Sequence, residues 1–191
     1  NGSIFRDATE NSGFFHQGHG KCTAMADFNN DGRLDIYLSV VYGRNKLFQN
    51  EGNLKFREVA ESYGLDCKYD THGIVAADFN NDGYLDIFLA NNLEALTELR
   101  EIDIHQPNFF YIGNDEGFIE CAVKTGLAGG PFNYSGGVAS ADLNGDGLLD
   151  LYVAEGGYRS GPTCANSLYI NNGDGTFRDV AAAAGVADEG N

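Results

Sequence analysis

The sequence predicts an all-β fold, a β-propeller-like array of about three four-stranded antiparallel blades preceded by one orphan strand. The first observation is an acidic nine-residue segment that occurs three times: DFNNDGRLD from Asp27, DFNNDGYLD from Asp78 and DLNGDGLLD from Asp142. The second is that four short apolar runs recur around each copy. The third is composition, because 26 glycines, 12% aromatic residues and only 3 prolines are typical of short strands joined by tight turns. Repetition along the whole chain indicates a single array.

The four runs of each repeat are named strands A to D in chain order. Strand A is predicted over 22–27, 73–78 and 137–142, and strand B over 36–42, 87–92 and 151–157. Strand C is predicted over 45–53, 108–117 and 166–175, and strand D over 55–65, 118–127 and 176–186. Asx-Gly turns separate C from D, as hairpins favour. The blades therefore cover about 20–65, 72–127 and 136–186.

Two segments lie outside this regular pattern. Residues 3–9 match the sequence of the third strand D, so they predict an orphan strand that could complete a blade of a neighbouring chain. Residues 93–107 form an insert between strands B and C of the second blade, and its leucines have helical spacing. We expect this insert to be a short helix or an ordered loop on one face of the array.

The acidic segment has the residue types of a calcium loop. Positions 1, 3, 5 and 9 are Asp, Asn, Asp and Asp in every copy, and position 6 is Gly, which permits a sharp turn with positive φ. Calcium takes about six to eight oxygen ligands, and position 7 can add a backbone carbonyl. The predicted ligands of about three calcium ions are Asp27, Asn29, Asp31, Arg33 and Asp35; Asp78, Asn80, Asp82, Tyr84 and Asp86; and Asp142, Asn144, Asp146, Leu148 and Asp150.

An EF-hand, a plain hairpin turn and a magnesium site all fit the acidic segment less well. An EF-hand starts alike but ends with Glu at position 12, where this chain has Leu38, Leu89 and Val153. A single copy could be only a hairpin turn, but three copies that share all four oxygen positions favour a metal site. Magnesium would need near-octahedral geometry and fewer carboxylates, so calcium is the predicted ion.

The order of elements resembles a known repeat family. NKLFQNEG at 45–52, NSLYINNG at 166–173 and TFRDVAAAAG at 176–185, together with the acidic loops, resemble the FG-GAP/VCBS repeat of integrin alpha chains and cartilage-acidic-protein-like secreted proteins. The resemblance implies a calcium-binding β-propeller whose ion ligands fall on the Asp and Asn positions above. Asn stands at position 3 where the family often has Asp, which lowers the loop charge. Such propellers usually have about seven blades and need about four to close. Three blades therefore imply a segment of a longer propeller or completion by another chain.

Charge and hydropathy limit the partners. With 12 Lys and Arg against 28 Asp and Glu, the formal net charge of −16 argues against nucleic acid and anionic membranes and favours bound cations. No stretch approaches about 18 apolar residues, so no membrane insertion is expected. Disorder is excluded because 42% of the residues are hydrophobic.

The cysteines and sequons favour a secreted, extracellular protein. The four cysteines include no CxxC pair, so zinc is not expected, and they fit either two disulfides or four free thiols. Cys22 and Cys67 lie near the starts of successive A strands and are the preferred pair among three pairings, whereas Cys121 is expected to face inward from strand D. Asn133 and, more weakly, Asn1 are candidate N-glycosylation sites.

The predicted function is that of a non-enzymatic structural or adhesion module, stabilised by calcium, that contacts other protein chains, including copies of itself in a filament-like assembly. One alternative is a carbohydrate- or ligand-binding module with its site on residues 93–107 and 155–166. Another is a propeller enzyme, which is disfavoured because no acid/base pair is found outside the loops and G-x-S-x-G is absent. The histidines at 16, 19, 72 and 105 are typical of surfaces and strand ends.

Overall fold

The computed structural model describes residues 4, 6–92, 106–130, 134–156 and 164–188. In this part of the chain, the strands form three four-stranded antiparallel sheets, each with its strands in sequence order, as the repeats predict. The first sheet contains β1 His19–Ala26, β2 Asp35–Val41, β3 Lys46–Gly52 and β4 Lys55–Glu58. The second contains β5 Thr71–Ala77, β6 Asp86–Asn91, β7 Phe109–Asn114 and β8 Gly117–Glu120. The third contains β9 Ser135–Ala141, β10 Asp150–Glu155, β11 Ser167–Asn171 and β12 Phe177–Asp179. We call these sheets blades 1, 2 and 3.

Strand D is shorter than predicted, because its second half turns into a helical segment. A 3-10 helix, Glu61–Tyr63, follows β4, and short α-helices follow the other two blades, α1 Ala122–Thr125 and α2 Ala181–Ala184. Each ends at a glycine with left-handed φ: Gly64 at 72°, Gly126 at 85° and Gly185 at 71°. Glycine adopts this conformation without a Cβ penalty, so it ends the helical turn and redirects the chain. The residue after the glycine then returns to the core, where Leu65 and Leu127 are fully buried.

The hydrophobic core lies between the blades. Strand β5 packs beside β1 on one side and beside β9 on the other, so the A strands form an inner row. Successive side chains on a strand point to opposite faces, so each blade presents one face to the preceding blade and one to the following blade. We call these its incoming and outgoing faces. In blade 2, Ile87, Leu89 and Tyr111 pack toward blade 1, and Phe88 and Phe110 pack toward blade 3.

The strand-D phenylalanines belong to these clusters, as predicted. Phe118 packs in the cluster between blades 1 and 2, and Phe177 packs in the cluster between blades 2 and 3. Phe56 packs in a third cluster on the incoming face of blade 1. Phe5 lies outside the described residues.

The N-terminal segment covers the incoming face of blade 1. Of the predicted orphan strand over 3–9, the described residues 4 and 6–9 form no strand, since they have no described strand to pair with. The chain instead crosses β4, where the Phe56 amide donates to the Ser12 carbonyl at 2.7 Å. The Phe14 ring lies 4.6 Å from that of Phe48 and 6.2 Å from that of Phe56. Segment 8–14 is therefore a cap on blade 1.

The predicted Cys22–Cys67 disulfide is not formed, and none of the four cysteines belongs to a disulfide among the described residues. The Cys22 sulfur lies 3.1 Å from the Ser39 hydroxyl, and the Cys67 sulfur accepts the Tyr69 amide at 3.4 Å. Each of these two sulfurs therefore contacts a polar group near it and not the other sulfur. Cys121 is not in strand D, because it is the N-terminal cap residue of α1; it is half-buried against the core, as the inward prediction required.

Across the described residues, no helix is both long enough and apolar enough to cross a membrane.

Candidate metal centre and interaction face

Each acidic loop connects the end of strand A to the start of strand B. The loop is closed by an antiparallel pair: Ala26 with Asp35, Ala77 with Asp86, and Ala141 with Asp150. The glycine at position 6 has φ of 85°, 90° and 88° in Gly32, Gly83 and Gly147, as predicted for a sharp turn. Position 4 is also left-handed, which Asn30 and Asn81 tolerate better than other non-glycine residues. The three copies therefore share one backbone conformation.

The carboxylate at position 1 organises the turn. It accepts the amides of positions 5 and 6 in all three loops, at 3.0 and 2.7 Å for Asp27, 3.1 and 2.9 Å for Asp78, and 3.1 and 2.9 Å for Asp142. These amide hydrogen bonds favour the charged form, and in Asp142 they lower the pKa of the exposed carboxyl, with the Gly147 amide as the largest cause. The position 1 oxygens thus face the inside of the loop.

Positions 3 and 5 are joined to each other. The Asn amide at position 3 donates to the Asp carboxylate at position 5 at 2.9, 2.9 and 2.8 Å in the three loops. The other oxygen of position 5 accepts the amide of position 7, which is Arg33, Tyr84 or Leu148, at 2.9, 2.8 and 2.8 Å. The structure therefore brings positions 1, 3, 5 and 7 together in each loop. The predicted carbonyl ligation by position 7 stays a prediction.

The Asp at position 9 is a buried link to strand C, which the sequence had not revealed. Asp35, Asp86 and Asp150 are at most 1% exposed. One oxygen accepts the amide of position 2, at 3.2, 3.0 and 3.0 Å, and the other accepts an amide of strand C, from Asn50, Gly113 or Asn171, at 2.7, 3.0 and 2.9 Å. Each of these carboxylates is therefore a structural acceptor in its own right. Nothing in the sequence distinguishes a carboxylate that accepts backbone amides in this way from one that binds a metal ion.

The loop residues fit a hard cation in donor type and charge. The pKa of Asp86 is raised to about 6, chiefly by burial and also by the neighbouring charges of Asp82 and Asp78, although the amides of Gly113 and Phe79 lower it in part. The carboxylates of one loop therefore repel one another, and a cation would relieve that repulsion. A hydrogen bond occupies one lone pair of an oxygen and leaves another for an ion. Among the described residues, however, no three His, Cys, Asp or Glu side chains are already grouped as a metal site. Any ion would thus depend on Asn and carbonyl oxygens as well.

Position 2 of the loop has a packing role that sequence reasoning missed. Phe28 and Phe79 are 7% and 3% exposed, although their loops are polar. The Phe28 ring lies 6.3 Å from Phe118 of blade 2, and the Phe79 ring lies 6.0 Å from Phe177 of blade 3. The sequence signal that could have predicted this packing is the apolar residue at position 2, between Asp and Asn, in every copy of the loop. Each loop therefore supplies an anchor to the blade that follows it.

The residues of blade 3 that correspond to these buried anchors are exposed to solvent. Leu143, at position 2 of the third loop, is 54% exposed. Val186, which follows the helix glycine like the fully buried Leu65 and Leu127, is 37% exposed. Tyr152 and Leu168 alternate with the buried Leu151 and Tyr169, so they lie on the outgoing face and are partly exposed. In the part of the chain that the structure describes, the outgoing face of blade 3 is thus uncovered; it is formed by Leu143, Tyr152, Leu168, Val180 and Val186.

The remaining predicted sites are only partly described. His72 lies in β5, and its ring is 3.1 Å from the carboxylate of Asp70, the residue just before that strand. No described histidine belongs to a metal cluster. Residues 93–105 and 157–163, which contain most of the predicted ligand-binding insert and loop, lie outside the described residues. So do His105 and the two sequon asparagines, Asn1 and Asn133.

Comparison with known proteins agrees with this architecture. The model of the FG-GAP-like repeat matches residues 24–89 and 142–191. Over 148 residues the chain is 32% identical to cartilage acidic protein 1 of Xenopus tropicalis, covering 72% of this chain and 21% of that protein. Over 159 residues it is 31% identical to human cartilage acidic protein 1, covering 80% of this chain and 23% of that protein. The chain spans about a fifth of the length of these relatives. It belongs to the FG-GAP-like repeat family.

Proposed function

We propose that this chain is an extracellular protein-interaction module without a catalytic role, whose outgoing face on blade 3 binds the incoming face of another FG-GAP-type blade. The observation that carries the proposal is the exposure of Leu143 at a position where Phe28 and Phe79 are buried between blades. The two internal interfaces indicate what covers such a face. In both, the anchor meets a strand-D phenylalanine, Phe118 or Phe177. The partner is therefore expected to carry an aromatic strand-D residue beside apolar strand-B residues.

A capped copy of this chain is a poor partner for that face. Its incoming face carries Phe56 at the matching strand-D position, but Phe14 already packs against Phe56 and Phe48. Filament-like assembly from identical chains would therefore require residues 8–14 to leave blade 1. We favour a blade from a different protein, or from another part of a longer chain, over self-assembly.

The test is sedimentation of the chain mixed with a variant that has only its incoming face open. Phe14→Ala uncovers Phe48 and Phe56, and Leu143→Lys in the same variant blocks its outgoing face. We expect wild type and this double variant to form a one-to-one complex, and Leu143→Lys in the wild-type partner to abolish it. Val123→Lys, at another exposed apolar residue (81% exposed), is the control and should leave the complex intact. Absence of the complex would contradict the proposed binding mode.

The second part of the proposal is that calcium stabilises the three loops. The supporting observations are the shared all-oxygen loops and the mutual repulsion of their carboxylates. Positions 1, 3, 5 and 9 would hold the ion, which would neutralise the carboxylates and fix the turn between strands A and B. An ion that binds only the folded state adds its binding free energy to folding stability, about 2.7 kcal/mol when its concentration is a hundred times the Kd.

Calcium dependence is tested by thermal unfolding in calcium and in chelator. Calcium is expected to raise the Tm of wild type, and Asp82→Asn is expected to reduce that rise, because it removes a charge while still accepting the Tyr84 amide. Asp115→Asn removes an exposed charge outside the loops and should keep the full rise. Identical melting curves in calcium and chelator would contradict the calcium proposal and leave the docking proposal standing.

A further inference from the structure

The three loops differ at position 7, and one of them contains a cation of its own. Loop 1 has Arg33 there, where loop 2 has Tyr84 and loop 3 has Leu148. The Arg33 Nη2 lies 2.6 Å from Asp31 Oδ2, and its Nε donates to the Asn50 carbonyl at 2.6 Å. The guanidinium is thus held at two points, on the position 5 carboxylate and on strand C.

This contact changes the position 5 carboxylate of loop 1. Asp31 Oδ2 receives both the Asn29 amide at 2.9 Å and the Arg33 guanidinium. The matching oxygens of Asp82 and Asp146 receive the Asn amide at position 3, and neither residue forms an ion pair among the described residues. Loop 1 is therefore partly neutralised by its own arginine, whereas the described residues provide no such cation to position 5 of loops 2 and 3.

The anchor on Asn50 keeps the guanidinium close to the loop. Asn50 also donates its amide to Asp35 Oδ1 at 2.7 Å and its side-chain Nδ2 to the Leu34 carbonyl at 3.0 Å. The residue that holds Arg33 is thus itself fixed to position 9 and to the backbone of loop 1. Releasing Asp31 to an ion would break the charged contact while the positive guanidinium stayed nearby.

We infer that Arg33 is a resident cation that makes loop 1 the weakest calcium site of the three. This inference rests on the proposed calcium function. An entering ion must compete with the guanidinium for Asp31 and is repelled by its charge. Because the Arg33 side chain is 46% exposed, solvent and salt screen the repulsion, and we expect an affinity difference of roughly tenfold at low ionic strength.

Calorimetric titration of chelator-treated protein with calcium at low ionic strength tests the inference. Wild type should show two tighter sites and one weaker site. Arg33→Leu, which copies loop 3, should bring the weak site into the tight class by lowering its Kd roughly tenfold, and added salt should shrink that gain. The reverse change, Leu148→Arg, should create a second weak site.

Arg57→Leu is the matched control, since Arg57 is an exposed arginine paired with Glu51 at 2.8 Å outside the loops. It removes the same charge and should leave the weak site weak. Three equal sites in wild type, or equal effects of Arg33→Leu and Arg57→Leu, would overturn the inference while calcium binding stood. A complete lack of calcium binding would overturn the calcium proposal and this inference with it.

Discussion

The two ends of the array have the same kind of apolar face, but the described residues cover it at only one of them. At blade 1, Phe14 lies 4.6 Å from Phe48 and takes the place that a preceding blade's anchor would fill. At blade 3, no described residue covers Leu143 in this way, and its side chain is 54% exposed. Because each repeat buries its hydrophobic face only against a neighbour, an end needs either a cap or a partner. The described N-terminal segment thus covers blade 1, whereas the described residues leave the outgoing face of blade 3 exposed.

The largest expected effect compares the same loop position at a closed and an open interface. Phe79→Ala should lower the free energy of unfolding by about 3–5 kcal/mol, because it leaves a cavity between Phe110 and Phe177. Leu143→Ala should cost less than about 0.5 kcal/mol, because that side chain is mostly in water. Urea unfolding measures both. Equal losses at the two positions would mean that Leu143 is covered and that blade 3 has no open face.

The sequence predicted this repeated scaffold well, because the acidic loop and the strand pattern recur together. The three sheets, their strand order and the position 6 glycines all follow from that repetition. The helical turn after strand D was missed, since four residues are too few for helical periodicity to stand out from alternation. Its signal was the acidic residue at the strand end, such as Glu120, which accepts the Ala122 amide at 2.8 Å, followed by the glycine at the helix end.

Features that occur once in the chain were not predictable in this way. The cap of blade 1 has no counterpart in the other repeats: residues 10–14 could not be aligned with any repeat, and the alignment of residues 3–9 with strand D predicted a strand instead of a cap. Its placement depends on the tertiary contact of Phe14 with Phe48 and on the close passage of Gly13 (φ +80°) over the Phe56 carbonyl. The Arg33 contact with Asp31 likewise depends on a side-chain conformation that the loop pattern does not specify.

A medium effect is expected from opening the capped end. Phe14→Ala should lower the free energy of unfolding by about 1–2 kcal/mol, because Phe14 is only half-buried and Phe48 loses its cover. The neighbouring Phe15 is 72% exposed, so Phe15→Ala should have almost no effect. Denaturant unfolding of both variants measures the difference. A loss at Phe15 as large as at Phe14 would show that segment 8–14 is not held by the ring stack.

The smallest expected effect on stability comes from a partly buried carboxylate of blade 3 that has no counterpart in blade 1. The sixth residue of β2 in blade 1 is the buried Val40, and the sixth residue of β10 in blade 3 is Glu155. Glu155 accepts the Ser135 hydroxyl at 2.9 Å and the Tyr134 amide at 3.1 Å. Burial nevertheless raises the pKa of the Glu155 carboxyl, and these two hydrogen bonds lower it only in part. The folded state therefore favours the neutral form more than the unfolded state does.

A raised pKa in the folded state contributes stability below the unfolded pKa, and that stability is lost as the pH rises through the folded pKa. Glu155→Gln stays neutral, so relative to wild type it should gain stability between acidic and neutral pH, by less than about 1 kcal/mol. Unfolding in urea at several pH values, with the exposed Glu116→Gln as control, measures this difference. If Glu155→Gln instead became less stable than wild type as the pH rose, its charge would be stabilising, and the hydrogen bonds from Ser135 and Tyr134 would outweigh burial.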